Sequence, residues 1–219
     1  MPIEYICFDI GGVANISLKP EEVLAETRVL FGDDYSINDF VTAIHAHYEG
    51  KNWWRDLQNG KVSAEEYLSA VLRSSNLDDS AENSQKLRHS LVAWCGVAYQ
   101  PTINLVERLN KLGYYTSVLS NNNTIMYDIP SAEIKNRVHL SLSSHLIGFS
   151  KPEEEAYKKL LSATGARPEE MIFVDDKSKN ITTAKELGIK GFKFRSREIT
   201  MSESLEEFVH FLRSEGVEV

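Results

Sequence analysis

The 219-residue chain has few cysteines, no long apolar run and no excess of positive charge. Its two cysteines, Cys7 and Cys95, offer neither a disulfide framework nor a metal-ligand spacing, which favours a reducing, cytoplasmic setting. The apolar stretch Tyr5–Phe8 is far too short for a secretion signal or a membrane span. With 24 basic and 32 acidic side chains the net charge is −8, which disfavours nucleic acid as a partner.

The chain does have the composition of an ordinary globular protein, with 42% hydrophobic and 26% charged residues. Its length suits one large domain, or one domain that carries a sizeable insertion. The sequence contains no internal repeat and no low-complexity tract, and nothing in it decides between a monomer and a homodimer.

Short apolar runs alternate with single helical patterns at the start and in the second half of the chain. The strands are predicted at Ile3–Phe8, Tyr114–Leu119, His139–Leu142, Met171–Val174 and Gly191–Phe194. The helices are predicted at Thr102–Leu112, Glu153–Leu161 and Asn180–Leu187, with a last one beginning near Ser202. Strands joined through single helices form a parallel sheet. The sequence therefore predicts an α/β fold with a Rossmann-like parallel sheet covered by helices on both faces.

The segment between the first two long strands shows helical patterns only. One helix is predicted after Pro20, through Val23, Leu24, Val29 and Leu30, and a second after Ser36, through Phe40, Val41, Ile44 and Tyr48. Ser63 and Glu66 form a capping box before a third helix, and a fourth is predicted at Ala81–Ala93. We expect a core domain made of residues 1–16 and 97–219, and an inserted α-helical cap domain at residues 17–96.

Polar side chains follow the apolar runs at the carboxyl ends of the predicted strands, where parallel sheets bind ligands. They are Asp9, Ser120 with Asn121, Lys151 and the pair Asp175 and Asp176. A carboxylate nucleophile, a hydroxyl and an ammonium for phosphoryl oxygens, and paired acids for Mg²⁺ form a complete set for phosphoryl transfer. Two adjacent acids at a buried strand end repel each other unless a cation lies between them, so the pair indicates a metal site.

Four stretches, in sequence order, resemble the motifs of the haloacid dehalogenase superfamily of hydrolases. They are Phe8–Val13, Val118–Asn121, Ser150–Pro152 and Phe173–Asp176 with Asn180. The helical segment resembles the α-helical cap of that family. Within it, Trp54–Leu57 with Gly60, Val62 and Ser63 is similar to the caps of sugar-phosphate phosphatases related to the amino-terminal domain of soluble epoxide hydrolases.

The resemblance implies catalytic roles for Asp9, Ser120 and Lys151 and a substrate-binding role for Asn121. Asp9 would attack phosphorus and form an aspartyl-phosphate that water then hydrolyses. Ser120 would donate a hydrogen bond to a phosphoryl oxygen, and Asn121 would join Ser120 and Lys151 in binding the substrate. Lys151 would neutralise charge on both the phosphate and the attacking Asp9.

The resemblance also implies that Mg²⁺ is the cofactor. Its ligands would be Asp9, the backbone carbonyl of Gly11 and Asp176, while Asp175 would bind it directly or through water.

Gly11 departs from the family pattern, which usually has an aspartate acting as general acid and base two residues after the nucleophile. General acid–base catalysis is commonly worth ~10²–10⁴-fold in rate. The glycine therefore either slows turnover or leaves proton transfer to water or to a cap side chain such as Asp56 or Glu49. The sugar-phosphate branch of the family includes members with glycine at this position.

These observations favour a Mg²⁺-dependent phosphatase acting on a small phosphate monoester, with sugar phosphates as one class of substrate. One alternative is a 2-haloacid dehalogenase, in which Asp9 would attack carbon without a metal; the pair Asp175 and Asp176 opposes it. A second alternative is a catalytically weak protein that binds a phosphometabolite or a partner protein. The retained nucleophile, Ser120 and Lys151 oppose that hypothesis.

Five further side chains have two interpretations each. Trp53 and Trp54 could line the substrate cleft, but an aromatic pair in a helical module is more often core. His45 and His47, two apart, are expected on different faces of a helix, which disfavours a shared metal ion. Asn180 belongs to the fourth motif or is a plain helix N-cap.

Overall fold

The computed structural model describes residues 1–16, 27–28, 30, 32, 36–45, 47–127 and 129–219. The strands are β1 Tyr5–Phe8, β2 Asn15–Ile16, β3 His47–Tyr48, β4 Lys51–Asn52, β5 Val97–Ala98, β6 Tyr115–Ser120, β7 Leu140–Ser143, β8 Met171–Asp175 and β9 Lys190–Lys193. The helices are α1 Ile37–Ile44, α2 Trp53–Gln58, α3 Ala64–Ser74, α4 Ala81–Trp94, α5 Gln100–Lys111, α6 Ser144–Ile147, α7 Glu154–Thr164, α8 Ser178–Glu186 and α9 Met201–Ser214. Two 3₁₀ turns lie at Pro130–Asn136 and Pro168–Glu170.

Five parallel strands form the central sheet in the order β7-β6-β1-β8-β9. The middle strand β1 pairs Phe8 with Val118 of β6 on one side and with Val174 of β8 on the other. Because these three strands run in the same direction and in register, the residues that follow them meet at one edge of the sheet. The predicted parallel α/β fold is confirmed.

Each face of this sheet packs against its own apolar cluster. Ile6 and Phe8 of β1 point to a cluster that contains Phe208 of α9, whereas Cys7 points to the opposite cluster with Tyr157 of α7. Alternation along the strand sends successive side chains to opposite faces. All three β1 side chains are therefore fully buried, which makes the strand a rigid support for Asp9.

The helix predicted after Ser36 is shorter than expected. Its capping box with Asp39 is present, but α1 ends at Ile44 and Tyr48 belongs to the small hairpin of β3 and β4. Glu49 and Gly50 have φ values of 51° and 74°, the left-handed conformations that a two-residue hairpin turn requires. This turn is the reason that the predicted helical segment also contains strands.

The helices from α1 to α4 share an apolar cluster that contains Phe40, Leu57, Tyr67 and Leu72, and Ile125 and Met126 of the second half of the chain join it. Val23, Leu24 and Val29 of the helix predicted after Pro20 lie outside the described residues. The division into a cap at 17–96 and a core at 1–16 and 97–219 remains a prediction.

The sheet and the helical segment are connected next to a short antiparallel pair of strands. Asn15 of β2 pairs with Ala98 of β5, and the Asn15 side chain donates a hydrogen bond to the Cys95 carbonyl over 2.7 Å. The two chain crossings between the sheet and the helical segment therefore lie side by side. Within the described residues, no helix is both long and apolar enough to cross a membrane.

Candidate active site

The ends of β1, β6 and β8 bring the predicted site residues together. Asp9 follows β1, Ser120 ends β6, and Asp175 ends β8. Lys151 reaches the same point from the loop before α7, where its bond to Pro152 is a cis peptide. All four residues are almost completely buried.

The Lys151 ammonium lies between two carboxylates. Its Nζ is 2.8 Å from Asp9 Oδ1 and 2.7 Å from Asp175 Oδ2, and the lysine side chain is 1% exposed. Burial by itself lowers the pKa of Lys151, but the charges of Asp175 and Asp9 outweigh burial and raise it. The lysine is therefore a fixed cation at neutral pH, and it must stay paired because an isolated buried charge is strongly destabilising.

Asp9 keeps one oxygen available. Its Oδ1 accepts hydrogen bonds from Lys151 and from the Ile10 backbone N–H, at 2.8 Å each. In the described part of the chain, nothing donates a hydrogen bond to Oδ2. Burial raises the pKa of Asp9 to about 6, and the Lys151 charge opposes that rise. Above that pH the residue is a carboxylate with one oxygen free to attack.

Asp175 has all of its hydrogen-bonding capacity occupied. Oδ1 accepts from the Lys177 backbone N–H at 2.8 Å and from Asn180 Nδ2 at 2.9 Å. Oδ2 accepts from Lys151 Nζ at 2.7 Å and from the same Asn180 nitrogen at 2.8 Å. A carboxylate has about four lone-pair positions, so these contacts hold Asp175 as a support for Lys151. Asn180 is the third residue of α8, which makes the interpretation as an N-cap wrong.

Asp176 has the opposite arrangement. Its side chain is 1% exposed, Oδ2 accepts a 2.7 Å hydrogen bond from Arg197 Nε, and Oδ1 is buried with no partner among the described residues. One oxygen from each of Asp9, Asp175 and Asp176 lies within 4.8 Å of the others. An unpartnered buried carboxylate oxygen beside two further carboxylates fits a hard cation such as Mg²⁺.

The glycines after Asp9 differ in the space around them. A Cβ at Gly12, where φ is +73°, would lie 3.0 Å from Ser196 Oγ and 3.1 Å from Asp176 Oδ2. Position 12 therefore needs glycine for both its backbone conformation and its close neighbours. Among the described residues nothing lies within 4 Å of a Cβ at Gly11, so a Cβ has room there.

Ser120 and Asn121, the two polar residues at the end of the second motif, have different roles. The Ser120 hydroxyl has no hydrogen-bond partner among the described residues, which leaves it available to a ligand. Asn121 instead holds the backbone of Lys151: its Nδ2 donates to the Lys151 carbonyl, and its Oδ1 accepts from the Lys151 N–H, both over 2.7 Å. The Asn121 side chain thus positions the lysine, while its predicted contact with substrate stays a prediction.

The helical segment contacts the loop that carries Lys151. Asn59 accepts a short hydrogen bond from Ser150, and Arg55 pairs with Glu153 over 2.9 Å. These contacts connect α2 and the residue after it to the loop that carries Lys151.

The aromatic residues of the segment mainly pack. Trp53 is buried and donates a hydrogen bond to the Tyr48 carbonyl at 2.9 Å, and Trp54 packs between His45 and Tyr67. The prediction that His45 and His47 share one helix is wrong, because His45 is the C-cap of α1 and His47 lies in β3.

The two candidate replacement acids belong to different elements. Glu49 is exposed at the hairpin turn, and Asp56 is half-buried on α2. In the part of the chain that the structure describes, neither is hydrogen-bonded to Asp9 or Asp176. Their role as proton donors stays a prediction.

Three residues at this site, Ser196, Arg197 and Asn59, are not among those predicted from the sequence. Ser196 and Arg197 follow β9, and the principle that polar residues after parallel strands meet at one edge applies to this strand as well. Asn59 has no comparable signal, because its contact with Ser150 depends on how the helical segment packs on the sheet.

Comparison with known proteins places these features in a family. The sequence of residues 3–188 matches the family model of the haloacid dehalogenase-like hydrolases. D-ribitol-5-phosphate phosphatase of Bacteroides thetaiotaomicron is 24% identical over 204 residues, which cover 87% of this chain and 91% of that protein. Bifunctional epoxide hydrolase 2 of Rattus norvegicus is 29% identical over 212 residues, 86% of this chain, so this chain spans about a third (36%) of the rat protein.

Solved structures show the same fold. An enzyme of this family from Bacteroides thetaiotaomicron, in complex with magnesium and inorganic phosphate, superposes with a TM-score of 0.72 at 18% identity, covering 90% of this chain and 97% of that one. L-2-haloacid dehalogenase from Xanthobacter autotrophicus gives a TM-score of 0.61 at 15% identity, covering 94% and 82%. With a family model that spans most of the sequence and a shared fold, the chain belongs to the haloacid dehalogenase-like hydrolases.

Proposed function

We propose that the chain is a Mg²⁺-dependent phosphatase that hydrolyses small phosphate monoesters through an aspartyl-phosphate on Asp9. The observation that carries the proposal is the buried carboxylate cluster in which Asp176 Oδ1 has no partner, beside an Asp9 that is paired with Lys151. A dehalogenase that attacks carbon has no use for such a cluster, whereas phosphoryl transfer requires both a cation and an anionic nucleophile.

In the first step, Asp9 Oδ2 attacks the phosphorus atom and the bond from phosphorus to the substrate's alcohol oxygen breaks. The alcohol leaves and takes up a proton, and the phosphoryl group stays on Asp9. In the second step, water attacks the same phosphorus atom. Inorganic phosphate leaves, and the Asp9 carboxylate is restored.

Lys151 and Ser120 stabilise the charge that this reaction brings together. The Lys151 ammonium reduces repulsion between the Asp9 carboxylate and the incoming phosphate, and its pairing with Asp175 keeps it in place. The Ser120 hydroxyl lies at the end of the neighbouring strand and would donate to a phosphoryl oxygen.

Asp9, Asp176 and the Gly11 carbonyl would hold Mg²⁺, with Asp175 acting through water because its oxygens already accept four hydrogen bonds. When bound, the ion would neutralise phosphate charge and orient the phosphoryl group for in-line attack.

Support for a phosphate monoester as the substrate comes from the relatives. A protein similar over nearly the whole chain is named for hydrolysing D-ribitol 5-phosphate, and a structure of the same fold holds magnesium and inorganic phosphate. We therefore place phosphorylated sugars and polyols first among the substrates. The helical segment that contacts the Lys151 loop would select among them.

The test is release of inorganic phosphate from a panel of phosphate monoesters, measured in Mg²⁺ and in EDTA. The panel contains D-ribitol 5-phosphate, pentose and hexose phosphates, glycerol 3-phosphate and a nucleoside monophosphate. We expect release that depends on Mg²⁺ and is lost in Asp176→Asn, while the exposed-site control Asp79→Asn retains it.

Two other results would contradict the proposal. Chloride release from 2-chloropropionate in EDTA, without phosphate release, would establish the dehalogenase. Binding of phosphate esters without turnover of any of them would establish a binding protein.

A further inference from the structure

Arg197 contacts Asp176 at the buried acidic cluster. Its Nε lies 2.7 Å from Asp176 Oδ2, while Oδ1 of the same carboxylate is buried and has no partner in the part of the chain that the structure describes. The arginine side chain is 73% exposed, so it reaches the cluster from the solvent. A carboxylate held at one oxygen in this way has a fixed orientation and presents the other oxygen to the cluster.

The loop that carries Arg197 is tied to the sheet at its start. The Phe194 N–H donates to the Asp175 carbonyl over 2.9 Å, and the Arg195 N–H donates to Ser204 Oγ over 2.6 Å. A turn follows, because the N–H groups of Glu198 and Ile199 both donate to the Arg195 carbonyl, at 2.8 and 3.0 Å. Arg197 lies inside this closed turn, which fixes the direction from which its guanidinium approaches Asp176.

We propose that Arg197 is a positioning residue for the cation site: it turns Asp176 so that Oδ1 faces Asp9 and the bound Mg²⁺. The inference rests on the proposed function, because it assumes that the acidic cluster holds a divalent cation. It adds a residue of this chain that no family motif and no comparison assigns.

Arg197 has two opposing effects on Mg²⁺ binding. Its positive charge repels the cation, and its hydrogen bond orients Asp176 toward the cation, so the net effect depends on which of the two is larger. The guanidinium is mostly exposed, so water and salt screen its repulsion of Mg²⁺. Its hydrogen bond to a carboxylate that is 1% exposed is shielded from that competition. The orienting effect is therefore expected to outweigh the repulsion.

Neighbouring groups leave few other ways to fix Asp176. Asp176 Oδ2 and Ser196 Oγ both lie close to the backbone of Gly12. The Ser196 hydroxyl is itself buried, with no hydrogen-bond partner among the described residues. Among the described residues, Arg197 is thus the group that donates a hydrogen bond to the Asp176 side chain. Partners that orient metal-binding carboxylates typically contribute 10–100-fold to metal affinity.

The experiment is isothermal titration of the substrate-free chain with MgCl₂. Arg197→Met keeps the aliphatic stem and removes every donor, and Arg197→Lys restores a charge and a donor. Arg195→Met is the matched control. It removes the same charge only two residues from Arg197, but the Arg195 side chain pairs with Glu198 and Glu207 and not with Asp176. Thermal unfolding in EDTA shows that each variant is folded.

We expect Arg197→Met to weaken Mg²⁺ binding by about 10–100-fold, Arg197→Lys to recover part of the loss, and Arg195→Met to bind like the wild type. Unchanged or tighter binding in Arg197→Met overturns the inference while the proposed function stands. An equal loss in Arg195→Met also overturns it, since the effect would then be general electrostatics. A wild-type chain that binds no Mg²⁺ overturns the inference and the cation of the proposed function together.

Discussion

The Lys151 ammonium lies 2.8 Å from Asp9 Oδ1 and bridges this carboxylate to Asp175 at 2.7 Å. The three charges depend on one another, because burial penalises each of them and pairing offsets that cost. The bridge also leaves Asp9 Oδ2 outside the ion pair. The same contact therefore supports the fold and prepares the proposed nucleophile.

The raised pKa of Asp9 makes the stability of the metal-free chain depend on pH. Between the ordinary value of 3.8 and the raised value of about 6, the folded chain binds more protons than the unfolded chain. The free energy of unfolding contributed by this residue therefore falls as the pH rises through that window. Asp9→Asn removes this dependence. The difference in free energy of unfolding between the variant and the wild type should therefore shift by about 2 kcal/mol in favour of the variant as the pH rises from 4 to 7.

Urea unfolding in EDTA at several pH values measures this difference. Asp39→Asn is the matched control, because hydrogen bonds from Ser36 lower the pKa of Asp39. Because that carboxyl is ionised in both the folded and the unfolded chain above its ordinary pKa of 3.8, the difference between Asp39→Asn and the wild type should stay nearly constant from pH 4 to 7. A difference between Asp9→Asn and the wild type that is flat from pH 4 to 7 would contradict the raised pKa.

Gly11 is a position where activity can be increased. Among the described residues nothing lies within 4 Å of a Cβ at this position, and an aspartate there would supply the missing acid and base two residues after Asp9. We expect Gly11→Asp to raise kcat by about 10²-fold, the lower end of what such a group contributes. Gly11→Asn has the same shape without the proton transfer and should leave kcat near the wild-type value. Equal kcat values for Gly11→Asp and Gly11→Asn would show that another group moves the proton.

Asn121 is expected to act through Lys151. Asn121→Ala removes both hydrogen bonds to the Lys151 backbone, which should destabilise the chain by about 1–3 kcal/mol. The displaced lysine should lower kcat more than it changes KM. Steady-state kinetics and thermal unfolding give both quantities, and Asn104→Ala, on the exposed face of α5, is the control. A raised KM with unchanged stability would instead mean that Asn121 binds the substrate directly.

Much of the fold follows from local patterns that the sequence carries. The apolar runs before Asp9 and Asp175 are buried on both faces of the sheet, so their boundaries differ from the structure by only one or two residues. The capping box at Ser63 is present as predicted, and the helix predicted after Ser36 also begins with a capping box. The grouping of the site residues follows as well, because parallel strands end at one edge.

The parts that the sequence could not predict depend on contacts between distant segments. Two-residue strands such as β3 and β4 are too short to show a period, so the hairpin at Glu49 looked like a continuing helix. The contact of Asn59 with Ser150 depends on the position of the helical segment over the sheet. The hydrogen bond from Asn121 to the Lys151 backbone joins two loops that are thirty residues apart in the chain.

The role of Asp9 is tested most directly by comparing phosphate release by the wild type and Asp9→Asn on the best substrate of the panel, at saturating Mg²⁺. Asparagine keeps the shape of the side chain and removes the nucleophilic charge. We expect a loss of at least about 10³-fold in kcat, with the variant still folded. Release by Asp9→Asn at the wild-type rate would contradict the role of Asp9 as the nucleophile.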